Sequence, residues 1–123
     1  MEFDELSRNV IGCAIEVHRT LEPGLLESTY CQCLACELSH ACIPFQIEVP
    51  LPVRYKDTLL DCGYRIDLLV SGDFIVEIKS VENLLPIHQA QILTYMRLAK
   101  VSLGLLINFN VTKLHNGIKR FVL

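Results

Sequence analysis

The segment from Tyr64 to Ser80 limits what this chain can fold into more than any other. Two runs of alternating apolar and polar residues flank Ser71-Gly72-Asp73, the pattern of a tight β-hairpin. Centred on Gly72, the pairing sets Val70 against Phe74, Leu68 against Val76 and Ile66 against Ile78. On the other face it sets Asp67 against Glu77 and Arg65 against Lys79. A one-residue slip would mix the apolar and charged faces, which favours the centred register. Opposed residues bring their β-carbons to about 5 Å, and residues two apart share a face. Asp67, Glu77 and Lys79 therefore cluster. Such a cluster is either a solvated strand face of weak ion pairs or a metal site, because opposed carboxylates repel and oxygen ligands suit Mg²⁺ or Mn²⁺.

Upstream, residues from about Asp4 to Leu21 carry Leu6, Val10, Cys13, Ala14, Val17 and Leu21 at helical spacing, with Ile11, Ile15 and His18 extending the stripe. Glu22-Pro23-Gly24 ends that helix. A second helix runs from about Leu25 to His40, with Leu26, Tyr30, Cys33, Leu34 and Leu38 as its core stripe. Glu27 lies on the edge of this stripe. It reads either as a glutamate stabilised by the helix dipole or as a third carboxylate for the hairpin cluster.

Phe45 to Lys56 alternates as a strand, and its two prolines, Pro50 and Pro52, deny it a central place, leaving an edge or a strand entering the sheet. Lys56-Asp57-Thr58 turns into the strand that enters the hairpin, completing a three-strand antiparallel meander. After Pro86 a third helix spans about Ile87 to Lys100. On it His88, Gln91 and Tyr95 fall at i, i+3 and i+7, so an amide and a phenol emerge side by side. Val101 to Phe109 is almost wholly apolar, as in a strand covered on both faces. Reaching it through a helix implies a crossover with parallel pairing. Asn116-Gly117 marks a turn into a last strand, Ile118 to Leu123.

The reading is one α/β domain over residues 1–123: two N-terminal helices, a mixed β-sheet made of the meander plus a crossover strand, and one crossover helix. At 123 residues the chain has room for one real core, and a 51% hydrophobic share argues against disorder. No apolar stretch approaches the roughly 20 residues that span a bilayer, and the acidic start lacks a signal-peptide pattern. A cytoplasmic protein with no membrane partner is the expectation. Net charge is −3, which weakens a nucleic-acid partner without excluding one, since metal-holding carboxylates count toward it. Cys31, Cys33, Cys36 and Cys42 do not repeat a Cys-x-x-Cys pair, so they read as small thiols in a reducing compartment rather than a zinc site.

Asp67, nine intervening residues and then Glu77-Ile78-Lys79 resembles the signature of the PD-(D/E)xK nuclease superfamily. Gln91-x-x-x-Tyr95 looks like the accessory motif of its exonuclease-like branch. Gly24-Leu25-Leu26-Glu27-Ser28-Thr29-Tyr30 matches the motif that names the GxxExxY family. The match continues through His18-Arg19, Pro44-Phe45, Gly63-Tyr64-Arg65-x-Asp67, Pro86-x-His88, Gly104 to Asn110 and Gly117-Ile118. Glu22 departs from it, standing where the family usually has glycine.

The resemblance implies a restriction-endonuclease-like core and a nuclease using Mg²⁺ or Mn²⁺ on nucleic acid, DNA foremost, with a homodimer among the family's forms. It implies Glu27, Asp67, Glu77 and the Ile78 backbone carbonyl as metal ligands, and Lys79 as the residue that orients or helps deprotonate water. Gln91, Tyr95, Tyr30 and His88 would contact substrate or brace the site. The rival expectation is a non-catalytic module that binds nucleic acid or protein on the same fold.

Overall fold

The computed structural model describes residues 3–123. The chain runs α1 (Phe3–Leu21), α2 (Glu27–His40), β1 (Phe45–Pro50), β2 (Val53–Tyr55), β3 (Thr58–Leu60), β4 (Arg65–Val70), β5 (Phe74–Lys79), α3 (Pro86–Ala99), β6 (Leu103–Asn108), a 3₁₀ turn (Leu114–Gly117) and β7 (Ile118–Val122). Five strands form one mixed sheet in the order β1-β4-β5-β6-β7. The β4–β5 hairpin turns at Ser71 and Gly72, both at positive φ (52° and 79°), a conformation that matches strand twist and that glycine adopts without strain. Its register is the expected one at Val70–Phe74 and Leu68–Val76. From β5 the chain crosses through α3 to β6, which pairs parallel, Phe74 with Leu103 through Lys79 with Asn108.

Helices cover both faces. Leu6, Val10, Ala14 and Val17 of α1 and Tyr30, Leu34 and Leu38 of α2 pack on Leu68, Val70, Phe74, Val76, Leu105 and Ile107. On the opposite face Ile92, Tyr95 and Met96 of α3 pack on Ile66, Ile75 and Leu106. The central strand β5 is buried along nearly its whole length, as a strand covered on both faces should be.

Three expectations are corrected here. Ile15, placed on the α1 stripe, is 45% exposed, and Leu26, placed in the α2 core, is 73% exposed because it precedes the first helical turn. The expected single strand from Phe45 to Lys56 is two, parted at Pro50-Leu51-Pro52, where proline withholds an amide from the ladder. Beyond that break β2 and β3 pair only with each other, as a small ribbon beside the main sheet. Glu22 sits at φ 63°, in the region that favours glycine, and its carbonyl accepts the Tyr30 hydroxyl at 2.5 Å.

Candidate active site

Asp67 marks a break in the regular ladder. Ile47 pairs with Leu68 and Val49 with Ile66, which sets Glu48 opposite Asp67, and Glu48 takes φ 49°. At this rung the strands rotate. Phe45, Leu68 and Val70 face α1 and α2, whereas Val49 and Ile66 face α3. The regular β4–β5 pairing ends at Leu68–Val76. Asp67 Oδ2 instead accepts the Ile78 amide at 2.8 Å. The expected Ile66–Ile78 contact on a shared face therefore does not form: Ile66 packs with α3 and Ile78 with α1 and α2.

Glu77 is only 3% exposed, and its Oε1 has no hydrogen-bond partner. Burial first, and the adjoining Asp67 carboxylate second, push its pKa up to about 10, while the Lys79 ammonium acts in the opposite direction. A buried acceptor without a partner costs free energy until something positive meets it. Lys79 Nζ donates to Gln91 Oε1 at 2.9 Å, and Gln91 Nε2 donates to Tyr95 Oη at 3.2 Å. Thus α3 fixes the lysine from one side while β5 presents it from the other. Burial, with Glu77 next, raises the Tyr95 pKa, which keeps its phenol a proton donor.

Glu27, at the first residue of α2, lines a cavity with Cys31, Glu48 and Asp67. Its Oε2 accepts the Ser80 amide at 3.0 Å, and Ser80 Oγ donates to the Leu25 carbonyl at 2.8 Å. Glu27 therefore tethers the end of β5 to the start of α2. Tyr30, expected in the α2 core stripe and, from the resemblance, as a substrate or bracing residue, is fully buried, stacked on Phe109 at 4.5 Å and hydrogen-bonded to Glu22 and Leu25. It anchors the α1–α2 turn, because its long ring reaches the core before its hydroxyl finds backbone. His88 Nδ1 accepts the Leu85 amide at 2.9 Å, capping α3, and its ring also lines the groove that holds Lys79. The Cys31 thiol is pushed up to about 12, by burial first and then by Asp67, Glu48 and Glu77, so it stays protonated and unreactive near neutral pH. The described cysteines are all free.

Two residues that the sequence reading passed over help to build the site. Glu48 lines the Asp67 cavity; its signal was an acidic residue opposite Asp67 in the edge strand, hidden in an apparently regular alternation. Asn108, at the end of β6, is 2% exposed and clamps the loop after Lys79: Oδ1 accepts the Val81 amide and Nδ2 donates to the Val81 carbonyl, at 3.1 and 2.9 Å. Replacing Asn108 with alanine is expected to lower unfolding free energy by about 1–3 kcal/mol, since part-buried backbone groups of Val81 and Asn110 lose partners. Urea denaturation measures this.

The donor set suits a hard cation. Asp67 and Glu77 put two carboxylates side by side, one with an unmet oxygen, and such cations choose oxygen ligands and retain water. Among the described residues no three His, Cys, Asp or Glu side chains are grouped to hold a metal ion, so protein carboxylates alone do not enclose the position.

A mixed sheet with helices on both faces, carrying Asp67, Glu77 and Lys79 along one hairpin, defines a restriction-endonuclease-like α/β domain. The family described as the PD-(D/E)XK nuclease superfamily matches residues 4–121, and the chain belongs to that superfamily. Its members are usually nucleases and generally use divalent metals such as Mg²⁺. Neither the curated proteins nor the solved structures give a match. No described helix is long and apolar enough to cross a membrane.

Proposed function

We propose that this chain is a metal-dependent nuclease domain of the GxxExxY branch, hydrolysing phosphodiester bonds in nucleic acid, DNA foremost. The observation that carries the reading is Glu77, buried with an unpartnered oxygen, beside Asp67 and two residues from Lys79 on the same strand. Asp67 and Glu77 would hold Mg²⁺ or Mn²⁺, with the Ile78 carbonyl as a further oxygen ligand and Glu27 bordering the cavity. When bound, that cation polarises a phosphoryl oxygen and acidifies water.

The protein's own groups do the rest. Asp67 is held by the Ile78 amide, so its carboxylate arrives already oriented. Lys79, fixed by Gln91, presents a compact charge toward the phosphoryl oxygens and orients the attacking water. Such preorganised charge acts where negative charge develops in the transition state. Support for a homodimer comes from the resemblance alone.

The test is incubation of purified protein with labelled single-stranded, duplex and branched DNA and RNA in Mg²⁺, Mn²⁺ or EDTA. Metal-dependent cleavage of DNA that Lys79→Ala abolishes supports the reading. Binding without cleavage in every metal supports the binding-module rival and overturns it.

A further inference from the structure

On the α3 side, a groove of about 590 Å³ is lined by Lys79 together with Gln91 and Tyr95. One wall is α3, with Ile87, Tyr95 and Leu98. The other is the base of the β2–β3 ribbon, with Val53 and Tyr64. The Tyr64 and Tyr95 rings meet edge to face, with centroids 5.8 Å apart and planes at 62°, yet Tyr64 remains 44% exposed and Ile87 67% exposed. A braced aromatic ring thus borders an open, mostly apolar trough that Lys79 also lines.

We infer that this groove seats an unpaired nucleobase of the strand being cut, so that the preferred substrate is single-stranded at the scissile phosphate. The inference rests on the nuclease reading above and adds the substrate class. A nucleotide has the same layout as the groove, an anionic phosphate joined to a flat, largely apolar base. Lys79 complements the phosphate, and Tyr64 offers the base a stacking surface, an interaction that tolerates any sequence. Duplex DNA keeps its bases stacked inside and presents phosphates and base edges, which would leave Tyr64, Ile87 and Leu98 uncovered. An apolar peptide would cover them and strand the Lys79 charge.

Fluorescence anisotropy tests this with the whole chain, in Ca²⁺, using three labelled probes of equal length: oligothymidylate, an abasic strand and a hairpin duplex. The wild type is expected to bind oligothymidylate more tightly than either other probe. Tyr64→Ala should weaken oligothymidylate binding by about 5- to 150-fold and leave abasic and duplex binding within about twofold. Tyr64→Phe should bind like the wild type. Ile87→Asp, at an exposed position that does not threaten folding, should also weaken oligothymidylate selectively. Wild-type affinity in both Tyr64→Ala and Ile87→Asp, or equal losses on all three probes, overturns the base seat while the nuclease reading stands. A wild type that binds none of the probes overturns both.

Discussion

Replacing Lys79 with alanine is expected to lower the rate of DNA cleavage by about 10²–10⁴-fold, the range that positioned charge and proton-handling groups supply, with the fold unchanged. Lys79 is half-buried, and its ammonium meets Gln91 rather than a core partner, so its loss leaves no unpaired buried charge. The side chain lines an open groove, so water can fill the space. Lys79→Arg should not restore the rate, because a planar fork cannot occupy the place of a compact point charge. Single-turnover cleavage of labelled DNA measures the rate, and urea denaturation checks the fold. A Lys79→Ala protein that cleaves at the wild-type rate removes lysine from the mechanism.

The second large effect concerns Glu77 and pH. Its pKa in the fold, about 10, lies well above its ordinary value of 4.5. The folded state therefore binds a proton that the unfolded state releases. Stability contributed by this proton is fully present below pH about 4.5 and is lost as pH rises toward about 10. In chelator, wild-type unfolding free energy should fall by up to about 1.4 kcal/mol per pH unit across that window. Between pH 6 and pH 8 the loss is thus up to about 3 kcal/mol. Glu77→Gln, which carries its hydrogen permanently, should be nearly flat over the same range and more stable than the wild type at pH 8. Mg²⁺ should flatten the wild-type slope, because metal binding favours the ionised carboxylate. Urea denaturation at the two pH values, with EDTA or Mg²⁺, reads all of these. Equal slopes for wild type and Glu77→Gln in EDTA would show that Glu77 is ionised in the fold.

Much of this was legible in the chain because strand periodicity is local. Ser71-Gly72 set the hairpin, and with it the Val70–Phe74 and Leu68–Val76 pairs. The helix before Val101 implied the parallel β5–β6 pairing. What stayed hidden was every feature that breaks periodicity without glycine or proline to announce it. Glu48 turns to φ 49° inside an alternating run, so the apolar residues on its two sides face opposite layers of the fold. The same distortion frees Asp67 to take the Ile78 amide, which no alternation pattern encodes. Pro50 and Pro52 did announce a break, and an edge strand was only half of their meaning, since they also release the β2–β3 ribbon that walls the groove. Asn108 sat unremarked inside the apolar run Val101 to Phe109; its role depends on Val81, which only the crossover brings near. Tyr30 was legible at its helical spacing: its ring serves the core stripe of α2, as the periodicity implied.

The pairing of Asp67 and Glu77 around one divalent ion is tested most directly by Mn²⁺ titration of thermal unfolding, in the wild type, Asp67→Asn and Glu77→Gln. The expected result is a saturable rise in the wild-type melting temperature, corresponding to about 2.7 kcal/mol at a hundredfold excess over the dissociation constant, and no such rise in either variant. A wild type indifferent to Mn²⁺, or variants stabilised as strongly as the wild type, would contradict it.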